Sequence, residues 1–157
     1  MTTVRTRRDA LAPIRGALYA LTVIGILATA FELGTERHWQ SPEQLIPWVA
    51  LGALSVATVL ALLPSRTARV TARILAIGVL GASIYGVLDH IAVNHNSGPL
   101  DQRYAETWDS LPATQQWWYA ATKTVGPAPT LAPGVLGQTA LLLLLAGLAR
   151  PASMDDA

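Results

Sequence analysis

Long apolar windows alternate with short polar clusters along this chain. The apolar runs are 16–33 (GALYALTVIGILATAFEL), 45–63 (LIPWVALGALSVATVLALL), 74–93 (ILAIGVLGASIYGVLDHIAV) and 131–149 (LAPGVLGQTALLLLLAGLA). Each comes close to the length of about 20 residues that crosses the hydrocarbon of a bilayer. The pattern predicts an all-α integral membrane protein, a single membrane domain built as a four-transmembrane-helix bundle. Pro13, Pro64 and Pro151 fall just outside these windows. Pro47 and Pro133 fall in what should be the first turns of spans two and four, where a missing N–H does no harm.

The connections differ in kind. The 64–73 loop (PSRTARVTAR) and the 34–44 connection are short, whereas 94–130 is too long for a simple turn and should carry structure of its own. Within it, 111–125 (LPATQQWWYAATKTV) reads as a short helix with Ser110 as N-cap and Pro112 near its start. Trp117, Trp118 and Tyr119 would sit at headgroup level, making this an interfacial helix folded over the outer mouth, an aromatic anchor rather than a substrate lid.

Charge sets the expected orientation. Of the 11 Lys and Arg residues, Arg5, Arg7, Arg8, Arg15, Arg66, Arg69, Arg73 and Arg150 share one side of a four-span chain. Arg37, Arg103 and Lys123 fall on the other. The positive-inside rule then places both termini in the cytoplasm of a plasma or inner membrane. The acids Asp9, Asp155 and Asp156 lie inside and the rest outside or at the outer edge, and all five Trp fall on the outer side. Residues 1–30 also resemble a secretory signal, with Ala28-Thr29-Ala30 as a cleavage-like site, but we read this segment as a retained first span.

Composition agrees. Charged residues make up 13% of the chain and hydrophobic ones 52%, whereas a soluble domain carries about 25% charged residues. With no cysteine, disulfide exchange, thiolate zinc sites, iron–sulfur clusters and thiol-based mercury transfer are excluded. A net charge of +1 gives no reason to expect nucleic-acid binding. No phosphate loop, G-x-S-x-G, or His-Glu-x-x-His motif is present.

The candidate chemistry gathers at the outer ends of spans one and three. Small residues suggest inward stripes: Gly25, Ala28 or Thr29, Glu32 and Glu36 on span one, and Gly78, Ala82, Gly86, His90 and Asn94 on span three. Glu32, Asp89 and His90 should reach a common level, with Glu36, His38 and His95 just above. Carboxylates with imidazoles are ligands for divalent transition metals, so these six residues are a candidate metal-binding set at the extracytoplasmic mouth. The alternative is a structural polar network in which Asp89 or Glu32 accepts from His90, Tyr85 or Tyr19. A complete proton relay is disfavoured, because the inner half of every span lacks an acid or base. Haem ligation is disfavoured too, because only span three offers an intramembrane His.

Two functional expectations follow. One is a small membrane protein that binds or passes a divalent metal ion, which requires Asp89 and His90 to converge with Glu32. The other is a non-catalytic accessory or assembly subunit that forms a homo-oligomer or joins a larger membrane complex through small-residue helix faces. It predicts an apolar, small-residue stripe left unfilled in the monomer.

Overall fold

The computed structural model describes residues 3–149, with side chains from Leu11 onward. Arg5, Arg7, Arg8 and Asp9 therefore lie outside the described side chains, and Arg150, Pro151, Asp155 and Asp156 outside the described residues. Five α-helices and two 3₁₀ turns, and no strand, make up the described chain. The helices are α1 (Thr3–Thr35), α2 (Pro42–Leu62), α3 (Arg66–Ser97), α4 (Ala113–Ala121) and α5 (Ala132–Leu148). Three stretches, Leu11–Thr35, Pro42–Leu62 and Arg66–Leu100, are long and apolar enough to cross a membrane. α5 is apolar but shorter, at 17 residues. The chain has the make-up of a helical membrane protein.

Local sequence explains where the helices begin and end. α1 closes in a Schellman motif: His38 N–H donates to Leu33 O at 2.9 Å and Arg37 N–H to Gly34 O at 3.2 Å. Arg37 takes the left-handed position of that motif, at φ 50°, which glycine usually fills. α2 opens on Ser41, whose hydroxyl accepts from Gln44 N–H, while the Gln44 side chain accepts from Gln40 N–H at 2.7 Å. Because α2 starts at Pro42, Pro47 falls in the second turn rather than the first. There its ring displaces the bond to the carbonyl of Glu43. Pro13 likewise lies inside α1 rather than ahead of it. Pro133 does lie in the first turn of α5.

The described residues group into two compact units, one of residues up to Ala82 together with those from Val135 onward, the other Ser83–Gly134. In the first unit, Leu54 and Ala57 of α2, Ala72, Ala76 and Val79 of α3, and Leu136, Ala140 and Leu143 of α5 form the core. Tyr19, Ile26, Ala30 and Leu33 of α1 pack on it. At Gly25 α1 passes close to α5, since a Cβ there would lie 2.9 Å from Thr139 Cγ2. The outward faces remain apolar: Leu27 and Phe31 of α1, Val49 and Val59 of α2, and Ile74 and Ile77 of α3 are all exposed. A face of this kind suits lipid rather than water.

The buried stripes differ from those expected. On α1 the inward positions are Thr22, Gly25, Ile26, Thr29 and Leu33, while Ala28, Glu32 and Glu36 are exposed. At about 3.6 residues per turn, Leu33 continues the Thr22–Thr29 line and Glu32 does not. On the first part of α3 the stripe is Ala72, Ala76 and Val79, and Gly78 is exposed. A row of strict four-residue steps drifts by about 40° per step. Gly78 and Asn94 therefore face sides of α3 about 160° apart.

Candidate functional site

The second unit is organised by one face of α3 and the chain that returns along it. Ser83 Oγ donates to Pro133 O at 2.7 Å, and Gly86 leaves room for the Pro133 ring, which a Cβ would meet at 2.8 Å. One turn further on, His90 Nδ1 lies 2.9 Å from Pro129 O and donates to it, which fixes the proton on Nδ1. Then comes Asn94, completely buried. Its Nδ2 donates to Ala128 O at 2.9 Å, with Ala120 O and Thr130 Oγ1 at 3.2 and 3.3 Å. Its Oδ1 accepts from Ala128 N–H at 2.8 Å. A single amide thereby ties α3 to the end of α4 and to the 126–130 segment.

Gly126 is the residue that lets the chain pass so close. It holds φ +81°, and a Cβ there would lie 2.5 Å from Asn94 Cα. His95, next along α3, stacks on Trp117 with ring centroids 4.1 Å apart and meets the edge of Trp108 at 5.6 Å. Trp108, only 3% exposed, closes over Gly98 at the end of α3. Gln116 Nε2 donates to Trp108 O at 2.7 Å and locks α4 to the same turn.

α4 is shorter than the expected 111–125 helix, running Ala113–Ala121 with Pro112 rather than Ser110 at its N-cap. It ends in a second Schellman motif, with Lys123 at φ 55° and Thr124 N–H donating to Tyr119 O at 2.8 Å. Arg103 caps the same end by donating from its guanidinium to Thr124 O. That guanidinium also forks onto Asp101 at 2.7 and 3.0 Å. These bonds, joined by the Arg103 N–H, hold the Asp101 carboxyl down at about 2. Trp118, 65% exposed, is the most exposed aromatic of α4.

The six residues expected to share a metal ion divide between the two units, three in each. Glu32, Glu36 and His38 belong to the first unit. Glu32 and Glu36 are exposed, and His38 is half-buried in the turn after α1, with its carbonyl accepting from Trp48 Nε1 at 2.7 Å. Asp89, His90 and His95 belong to the second unit. Asp89 is half-buried, His90 is engaged with Pro129, and His95 lies between indoles. Among the described residues, no group of three or more His, Asp or Glu side chains could hold a metal ion. The partners expected for a polar network differ too, since Tyr19 donates to Ala61 O at 3.3 Å and His90 donates to a backbone carbonyl.

The sequence pattern put Asn94 at the end of a small-residue row, on one face with His90, and not at the centre of a backbone-binding hub. The signal was there, in an amide at the apolar end of a span followed by a proline-rich return (GPAP) whose carbonyls lack helical partners. No protein-family model, no curated protein and no solved structure matches this chain.

Proposed function

We propose that this chain is a non-catalytic accessory or assembly subunit of a membrane complex, either a homo-oligomer or a larger assembly. In this reading it has four spans in a plasma or inner membrane and both termini in the cytoplasm. α5 serves as the fourth span: its 17 residues rise about 25 Å, at the lower limit for crossing a bilayer. The 98–131 segment then lies outside, and exposed Trp118 suits an interfacial α4.

One observation carries the reading. On α3, Val70, Ile74, Ile77, Gly78 and Gly81 are all exposed, and a Cβ built on either glycine meets no atom within 4 Å. Glycine inside a helix costs about 1 kcal/mol relative to alanine. Among the described residues nothing approaches these glycines to offset that cost, whereas a second helix backbone packed there would. The polar residues support the same reading, because His90 and Asn94 are used to fasten the chain's own loop.

The test is the size of the assembly. Full-length protein released from membranes into nanodiscs is sized by native mass spectrometry, alone and with Gly78→Leu and Gly81→Leu. The proposal expects wild type in a discrete assembly larger than one chain, and monomer in the leucine variants. A wild-type monomer, or an assembly indifferent to both leucines, would contradict it.

A further inference from the structure

Tyr85 lies near the middle of the apolar stretch Arg66–Leu100 and is 49% exposed. Its hydroxyl has no hydrogen-bond partner among the described residues. Ile84 and Leu88 beside it are exposed too, so in a bilayer the phenol would meet hydrocarbon, which holds no water to satisfy it. Cα–Cβ bonds of a helix tilt toward its N-terminus, which favours the interior of the stretch over its nearer end at Leu100.

Short hydroxyl side chains in the other apolar helices solve this problem locally. Thr22, Ser55 and Thr58 each donate to a carbonyl one turn back in their own helix. A tyrosine cannot do so, because its ring holds the oxygen beyond reach of those carbonyls. Tyr19 shows the remaining solution, donating to Ala61 O of a neighbouring helix at 3.3 Å. Tyr85 needs such an acceptor on another helix, and no described residue provides it. We infer that a second copy of this chain provides it, with two α3 helices side by side and Tyr85 of one hydrogen-bonded to Tyr85 of the other.

Three features select a second copy. First, two copies of one chain insert in the same sense, so their α3 helices run parallel and carry Tyr85 at the same depth. In a two-fold pair a residue near the axis meets itself, and a phenol, being donor and acceptor at once, is its own complement. Second, α3 is one continuous helix, and viewed down it Gly78 and Gly81 point about 60° apart with Tyr85 between them. A Cβ on either glycine meets no atom within 4 Å, so two copies can close backbone to backbone one to two turns from the phenols. Third, α3 carries no charged residue between Arg73 and Asp89, so nothing repels a parallel copy at these levels.

The inference rests on the assembly reading proposed above and names the partner in it. Full-length protein in density-matched detergent is analysed by sedimentation equilibrium, as wild type, Tyr85→Phe and Tyr19→Phe. Tyr85→Phe keeps the ring and removes only the hydroxyl, and Tyr19→Phe controls for losing a phenol elsewhere. Thermal melting confirms that each variant is folded. In a second experiment Tyr85→Cys is oxidised in intact membranes, where the chain's lack of cysteine makes the introduced thiol the only one it carries.

Wild type should sediment as a monomer–dimer equilibrium. Tyr85→Phe should raise the dissociation constant about three- to twentyfold, the range of interhelical hydrogen bonds in membranes. Tyr19→Phe should leave it unchanged, and Tyr85→Cys should give a disulfide-linked product of twice the chain mass. A dimer of equal strength in Tyr85→Phe, or no such disulfide, would overturn the inference. Association with a different protein and none with itself would overturn it too, while leaving the subunit reading standing. A chain that stays monomeric and partnerless would overturn both.

Discussion

Asn94 and Thr29 are two buried polar residues with opposite expected responses to substitution. Asn94→Leu keeps volume but leaves the Ala128 amide and the carbonyls of Ala120 and Ala128 without their partner. A loss of about 2–5 kcal/mol is expected, concentrated in the second unit. Hydrogen exchange of the 113–130 amides should report it as lost protection. The Thr29 hydroxyl, by contrast, is buried with no hydrogen-bond partner among the described residues. Thr29→Val should be neutral or stabilising by up to about 1 kcal/mol, read as an unchanged or higher melting temperature. The metal reading is tested at the same scale. No group of three His, Asp or Glu side chains comes together among the described residues, so protein purified without chelators should carry metal far below one ion per chain. Near-stoichiometric metal lost in His90→Ala would restore the outer-mouth site.

Helix ends account for Arg37, Arg103 and Lys123, the basic residues expected on the outer side. Arg37 and Lys123 occupy the left-handed closing positions of α1 and α4, and Arg103 caps the end of α4. Non-glycine residues there are strained by about 1 kcal/mol, so Lys123→Gly should raise the stability of the second unit by roughly that amount. The Asp101–Arg103 link makes its own prediction. Asp101 ordinarily titrates near 3.8 and is held at about 2 in the fold. Because the folded value is the lower one, its contribution is complete above about pH 4 and is lost as pH falls toward 2. Arg103→Gln should remove that pH dependence from the melting of the second unit.

The elements themselves were largely legible, because apolar length and proline position mark long helices directly. Their faces were not. A row such as Gly78-Ala82-Gly86-His90-Asn94 looks like one stripe in sequence but winds around α3, so Gly86, His90 and Asn94 meet the returning loop while Gly78 stays open. Glu32 was misplaced for a similar reason, since one residue along α1 separates exposed Glu32 from packed Leu33. The Asn94 hub was out of reach because its partners are backbone groups 26 to 34 residues away, whose positions only the fold supplies.

For the whole molecule, the central claim is that the glycine face of α3 meets another helix in the membrane. The chain contains no cysteine, so a single introduced thiol is an unambiguous probe. Gly78→Cys places it on the open glycine face, and Val56→Cys places it on an exposed face of α2 as a control. Both variants would be treated in intact membranes with a short bis-maleimide and a lysine-reactive heterobifunctional analogue, and the products sized and sequenced. The account predicts one discrete cross-linked species from Gly78→Cys, of constant stoichiometry across expression levels, and none from Val56→Cys. Monomer from both positions, or the same diffuse ladder from both, would contradict it.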